Sequence, residues 1–257
     1  MTVEFSCKRL SRALALSPVF SGHRISWVQE TVSTNDDLKQ SWSLPEITPQ
    51  IRIAGYQTAG RGQSGRSWHA APGQSLLFSF SLTEIQSSFP LSMIAGLALY
   101  NAIRSLTKNE KAGLWLKWPN DVWLNRGKLA GVLCEGCSIS SRQNWVVGVG
   151  INLVPLQNTE FTAASLSEIS EGLDPEEVLC EFFSSFAGLL LESADSLVES
   201  WSKAASVFWQ TRFSFSCGAS REFCGLPLAI TADGSLLVDS GDKKSCRLVS
   251  ATLKPLF

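Results

Sequence analysis

Between residues 24 and 153 the chain runs through a series of short apolar segments, each closed off by glycine, proline or a polar turn. They are RISWVQE (24–30), IRIAGYQ (51–57), SLLFSFSL (75–82), LWLKW (114–118), DVWLN (121–125), KLAGVLCE (128–135) and QNWVVGVGINL (143–153). Segments this short, rich in β-branched and aromatic residues, predict strands. Helical patterning is confined to a few places. STNDDLKQSW (33–42) opens with Ser33 and Asp36 in capping-box spacing. Residues 91–106 align Leu91, Ile94, Ala95, Ala98, Ala102, Ile103 and Leu106 on one face. DPEEVLCEFFSSFAGLLLE (174–192) puts Asp at the N-cap and Pro at N1, with Val178, Phe182, Phe186 and Leu189 as its stripe. Asn125-Arg126-Gly127, with glycine expected at a positive φ, should fold DVWLN onto KLAGVLCE as a hairpin. The body is therefore expected to be α+β, a mixed sheet with flanking helices.

From about Thr211 the pattern changes. RFSFS, LPLAITA, SLLVDS and CRLVSATLK are strand-like and split by turn signals, including Asp233-Gly234. Residues 211–257 predict a small β-barrel module following a body that spans 1–210. A chain of 257 residues, 44% hydrophobic and 18% charged, is large and apolar enough for a packed core. Its net charge of −1 lacks the electrostatic footprint of a general nucleic-acid binder. No apolar run approaches the roughly 20 residues needed to span a bilayer. The start, MTVEFSCKRLSRALALSPVF, is basic and weakly amphipathic without an unbroken apolar stretch, so a secretory leader is not expected. Seven cysteines without framework spacing point to a reducing, cytoplasmic setting. Cys134 and Cys137 form a C-x-x-C, but no second pair completes a zinc set, and they read as ordinary residues.

The stretch QTAGRGQSGRSWH (57–69) interrupts this order of strands. Glycines let backbone N–H groups approach an anion, and arginine offers a planar fork of donors to carboxylate or phosphate. Gly60-Arg61-Gly62 and Gly65-Arg66 therefore look built to wrap a negatively charged ligand. Lys117-Trp118-Pro119-Asn120-Asp121 is a compact polar insert between apolar segments. Lys128 opens the strand that buries Ala130 and Val132. Placed on the same face as these, it would carry an ammonium along the core side, a costly position unless an anion meets it. Phosphate-binding P-loop and dinucleotide fingerprints are missing from the sequence.

QTAGRGQSGRSW, KWPNDVWLNRGKLAGVLCE and VVGVGINL, in that order, resemble the motifs of biotin protein ligases, and Ser33-Thr34-Asn35 resembles that family's biotin-contacting segment. The resemblance covers roughly residues 25–155 strongly, and GLPLAITADGSLLV more weakly resembles the family's SH3-like cap. It implies a catalytic domain akin to class II aminoacyl-tRNA synthetases over 1–210 and an SH3-like domain over 211–257. It further implies ATP, Mg²⁺ and biotin as substrates or cofactors. The products would be biotinyl-5′-AMP and then a biotinylated lysine on the biotin carboxyl carrier protein of acetyl-CoA carboxylase. By motif position, Ser33, Thr34, Asn35, Gln57, Gly60, Arg61, Gly62, Gln63, Lys128 and Gly131 should contact biotin. Arg66, Trp68, Lys117, Asn120 and Asn152 should face ATP or the adenylate. Lys128, Arg61 and Asp121 are the catalytic candidates. Asp121 is a candidate base for the second half-reaction, and Mg²⁺ would come with ATP, near Asp121, rather than sit on a protein site. Pairing of two copies through their sheets is a further expectation of the family. The chain departs from the family at one loop position: G-R-G-R is usual, and Gln63 stands in the fourth place.

That chemistry joins two anions, so the site must supply positive charge and exclude water from a mixed anhydride. His23 and His69, the only histidines, are not expected to act as bases. A lipoate ligase or octanoyl transferase of the same fold class remains the enzyme alternative. A DNA-binding repressor would need an N-terminal helix-turn-helix, for which the residues before the first core strand are too few. A catalytically dead scaffold is disfavoured by Lys128, Arg61 and the KWPND insert.

Overall fold

The computed structural model describes residues 7–43, 48–85, 87, 89–107, 113–139, 141–155, 162–218, 221–241 and 245–256. Its body is a seven-stranded sheet. The strands are β1 (Arg24–Val28), β2 (Gln50–Ala54), β3 (Ser75–Thr83), β4 (Leu114–Lys117), β5 (Asp121–Leu124), β6 (Gly127–Ile139) and β7 (Arg142–Asn152). They lie in the order β1-β2-β3-β7-β6-β5-β4, with β1 and β2 parallel and every other neighbouring pair antiparallel. The expected strands are all present. β6 runs longer than expected because it forms one continuous antiparallel ladder with β7, from Ala130–Ile151 to Ile139–Arg142.

The two faces of this sheet differ in chemistry, and the alternation in SLLFSFSL shows why. Its even positions, Leu76, Phe78, Phe80 and Leu82, enter the core. Phe78 and Phe80 meet Phe182 and Phe183 of α4 (Pro175–Leu189) at ring separations of 5.2–5.8 Å, mostly edge to face. Burying a phenyl ring of this kind contributes roughly 2 kcal/mol. Helix α3 (Leu91–Thr107) packs between α4 and β4–β6, and α1 (Lys8–Ala15) packs on α4. α4 starts as expected: Asp174 Oδ1 accepts from Glu176 N at 2.9 Å, and Pro175 is at N1. α1 and α5 (Ala194–Ala204) carried no strong sequence signal. The backbone N–H groups of Arg9 and Leu10 donate to Glu176 Oε1, so α4 satisfies the open N-terminus of α1.

The odd positions of SLLFSFSL point to the opposite face, which is covered by α2 (Thr34–Lys39). Gly148, Gly150 and Gly131 lie on that face, and at Gly148 any Cβ would collide with the Asn35 amide. This helix-and-glycine side holds the candidate site.

A second sheet starts at Phe213. It contains β8 (Phe213–Cys217), β9 (Arg221–Ile230), β10 (Leu236–Asp239), β11 (Ser245–Leu248) and β12 (Thr252–Pro255) in the order β11-β10-β9-β8-β12. CRLVSATLK, expected as a single strand, is divided between β11 and β12. The first half pairs with β10 and the second crosses to β8. Gly234 takes the positive φ (78°) expected of Asp233-Gly234. Between β5 and β6 the expectation fails in detail: the positive φ falls on Asn125 (51°), and Gly127 serves a different need. A Cβ at Gly127 would lie 2.8 Å from the Ala164 nitrogen, so glycine is required there for close approach.

Candidate active site

The site is assembled from α2, the 57–69 loop and strands β3, β5, β6 and β7. Ser33 is the N-cap of α2, with its Oγ accepting weakly from Asp36 N at 3.5 Å. The next residue, Thr34, donates through its backbone N–H (2.7 Å) and its hydroxyl (3.0 Å) to Gln57 Oε1, fixing the start of the loop to the start of the helix. Ser79 Oγ, fully buried on β3, lies 2.6 Å from both Thr34 Oγ1 and Asn35 Oδ1. Asn35 Nδ2 donates 2.7 Å to Glu135 Oε2 on β6. Ser79 and Glu135 were not singled out from the sequence. The signal for Ser79 was the run of serines on the odd positions of an otherwise apolar strand. Glu135 had no such signal.

The loop is an ordered hairpin. Trp68 N donates to Gly60 O (2.9 Å), Gly62 N to Arg66 O (2.6 Å), and Arg61 and Ser67 form a bridge. Ser64 (φ 57°) and Gly65 (φ 74°) make its tip. The two arginines do not act alike. Arg66 is exposed, its Nε donating to Gln63 O at 3.1 Å. Arg61 turns toward protein carboxylates, pairing closely with Asp36 and lying 3.5 Å from Glu135.

Trp68 folds back onto the sheet. Its indole lies over the cross-strand pair Gly131–Gly150: a Cβ at Gly150 would sit 2.6 Å from Trp68 Cε2, and one at Gly131 would sit 3.2 Å from Cζ3. The indole N–H is buried without a hydrogen-bond partner. Lys128 Nζ stands 5.5 Å from the ring centroid, within cation–π range.

Lys128 reaches this face by a route that corrects the sequence argument. Val122 pairs with Ala130, but Trp123 pairs with Lys128, so β6 carries one surplus residue here, a β-bulge. The bulge breaks the alternation. Ala130 and Val132 stay in the core, while Lys128 lies beside Gly131 on the opposite face, its Nζ 2.9 Å from where a Gly131 Cβ would be. There it meets Asp121 Oδ1 at 2.6 Å, and Lys117 Nζ meets Asp121 Oδ2 at 3.3 Å. Asp121 and Lys117 are about 10% exposed or less, whereas the Lys128 side chain is 34% exposed. Burial pushes the Asp121 pKa up, but the two ammoniums more than offset this and hold it below the usual range. For Lys117 burial wins over Asp121, and its pKa falls. A carboxylate held this way is a weak proton acceptor, which counts against Asp121 as the transfer base.

The two asparagines are tied to backbone. Asn120 Nδ2 donates to Val132 O, and Asn152 Nδ2 donates to Lys128 O (3.2 Å) and Ala164 O (3.1 Å). Those two carbonyls fix the Asn152 amide orientation and leave its buried Oδ1 as an acceptor without a partner. The structure therefore gathers the selected residues of α2 and β4–β7 with Gln57 and Trp68, while Arg66 stays exposed on the hairpin and Arg61 turns to protein carboxylates. No group of three or more potential metal-binding side chains occurs among the described residues. Burial pushes the Cys134 thiol up to about 12, away from thiolate chemistry.

Residues 26–152 match the model of the biotin/lipoate A/B protein ligase family. That stretch of the chain carries the family's domain. Among its relatives is a biotin–[acetyl-CoA-carboxylase] ligase of Mycobacterium tuberculosis, 29% identical over 232 residues that cover 84% of this chain and 83% of that one. Another, of the same name, is from Paracoccus denitrificans. It is 36% identical over 140 residues, covering 49% of this chain and 57% of the relative. The family fold is equally clear: the structure of an Aquifex aeolicus biotin protein ligase in complex with biotin and ATP superposes with a TM-score of 0.74, covering 91% of this chain and 99% of the other at 24% identity.

Proposed function

We propose that this chain is an ATP-dependent biotin–protein ligase, which activates biotin as biotinyl-5′-AMP and transfers it to a lysine of the biotin carboxyl carrier protein of acetyl-CoA carboxylase. The names of the mycobacterial and Paracoccus relatives support the acceptor, and the site supports the chemistry. One observation carries the reading: a bulge delivers the Lys128 ammonium, braced by Asp121, to the edge of a glycine-floored surface.

In the first half-reaction a carboxylate oxygen of biotin attacks the α-phosphorus of ATP, and the bond to the leaving pyrophosphate breaks. Both reactants are anions, so charge must be neutralised before they meet. Lys128 supplies it from β6 and Arg66 from the exposed loop. Gly131 and Gly150 leave depth that the Trp68 indole fills and that a mostly apolar ring system would gain by displacing it, and the Thr34–Gln57–Asn35–Ser79 network holds the adjoining wall in one arrangement. Arg66, Trp68, Asn120 and Asn152 would line the nucleotide side, where the buried Asn152 oxygen is an acceptor without a partner. In the second half-reaction the acceptor amine attacks the acyl carbon and AMP leaves. A divalent cation does not fit on Asp121, because each carboxylate oxygen already faces an ammonium. Mg²⁺ would therefore enter on the nucleotide phosphates.

The test is pyrophosphate release with ATP and either biotin or lipoate, with mass spectrometry for protein-bound biotinyl-AMP. Biotin should drive release and lipoate should not; the reverse preference would move the chain to the lipoate branch of its family. Lys128→Ala should slow adenylate formation about 10²- to 10³-fold with the fold retained, and wild-type turnover would remove Lys128 from the chemistry.

A further inference from the structure

Four charged side chains from three separate segments meet at the root of the loop. Arg61 of the loop pairs with Asp36 of α2 and lies 3.5 Å from Glu135 of β6. Lys39 of α2 bridges the same two carboxylates at 2.8 Å each. Asn35 adds a neutral donor to Glu135. The four charges sum to zero, and the groups are part-buried, with 21–42% of each side chain exposed. Glu135 is the member that ties both α2 and the loop to β6, the strand that also carries Gly131 and the bulged Lys128. Burial raises its pKa, but hydrogen bonds from Lys39 and Asn35, with the charges of Lys39 and Arg61, hold it below the usual range. It is therefore a carboxylate at neutral pH.

We propose that Glu135, acting with Asp36, is a positioning residue: it receives Arg61 and pins the root of the 57–69 loop against α2 and β6, setting how tightly the carboxylic acid substrate is held. This rests on the ligase reading for its substrate. Its physical basis does not, since every contact is within the chain. The arrangement assigns Arg61 a different part from Arg66. Arg61 is engaged by protein carboxylates and fixes loop geometry, while Arg66 at the exposed limb is free to meet phosphate. The root of the hairpin is held at Gln57, Arg61 and Trp68, so the wall that faces the bound acid is fixed from the root and not from the tip. Nothing in the cluster touches Lys128 or Asp121, so the intrinsic rate of adenylate formation should be indifferent to it.

The experiment compares wild type with Glu135→Gln, Arg61→Ala and the double variant. Steady-state kinetics should show KM for biotin raised about five- to tenfold in each single variant, with kcat within about twofold. The effect of the double variant should fall short of the sum of the two single effects, as expected for two residues that share a contact in one cluster. Glu135→Asp, with a shorter reach, should recover part of the loss. Separately, hydrogen exchange of the 60–68 amides in protein without substrates should quicken in Glu135→Gln, while β7 amides keep wild-type protection. Parallel losses of kcat and thermal stability with unchanged KM would reduce Glu135 to a structural role and overturn the proposal, as would additive effects in the double variant or unaltered loop exchange. If wild type itself releases no pyrophosphate with biotin, the ligase reading fails while the exchange arm still decides the role of Glu135.

Discussion

Asp121 holds two lysines, one of them in a place where an ammonium alone would be costly. Its carboxylate is the common partner of Lys117, which is buried, and Lys128, which is not. Removing the negative charge would leave the buried ammonium uncompensated, a loss of about 3 kcal/mol at neutral pH for Asp121→Asn. The pH dependence follows from the direction of the shift. A carboxyl with a lowered folded pKa contributes stability that is complete above its unfolded value, about 4. That contribution fades as pH falls through the lower folded value. The stability gap between wild type and Asp121→Asn should therefore be full near about pH 7 and shrink toward about pH 2. Denaturant titrations across that range would show it; a gap that stays constant with pH would mean the carboxylate is not the stabilising partner. The same substitution should slow adenylate formation by displacing Lys128.

The 57–69 hairpin and the β5–β6 pair show what a sequence reveals about elements and what it conceals. The hairpin's glycines and arginines were conspicuous, as were the strands on either side, because alternation and turn chemistry are local. The bulge at Lys128 was not. One surplus residue in β6 reverses which face a side chain occupies, and only the pairing with β5 discloses it. Arg61 stood out as a cation, but its partners Asp36 and Glu135 come from other segments, and no local pattern joins them. The division of CRLVSATLK between two strands is hidden for the same reason. Gln63 lies in the hairpin near the tip, bordering a cleft of about 360 Å³ with Ser64, Trp118, Pro119 and Gly234. A guanidinium there would add a charge-assisted contact to a phosphate. Gln63→Arg should slow loss of biotinyl-AMP from the protein about tenfold in a chase followed by mass spectrometry. Equal or faster loss would show that this position does not face the intermediate.

Across the whole molecule, the C-terminal sheet is fastened to the site it borders. Trp118, inside the KWPND segment and fully buried, donates its indole N–H to Gly234 O at 2.9 Å. The β9–β10 turn presses against the start of α3: a Cβ at Gly234 would lie 2.5 Å from Pro90 Cγ and 2.9 Å from Met93 Sδ, at a residue with φ of +78°. Gly234→Ala should thus cost about 2 kcal/mol, from left-handed strain and overpacking together. The expected fall in melting temperature is about 5 °C, measurable by calorimetry. An unchanged melting temperature would show that the two sheets are not held by this contact. The described residues contain no helix long and apolar enough to cross a membrane.

The indole seated on Gly131 and Gly150 has a consequence for small-molecule recognition. A guest that reaches those glycines trades places with a side chain of the host, and its affinity reflects only the advantage it holds over tryptophan. Such a guest would have to replace the indole's contacts with both glycines and offer the Lys128 ammonium a partner at least as good as the ring it leaves.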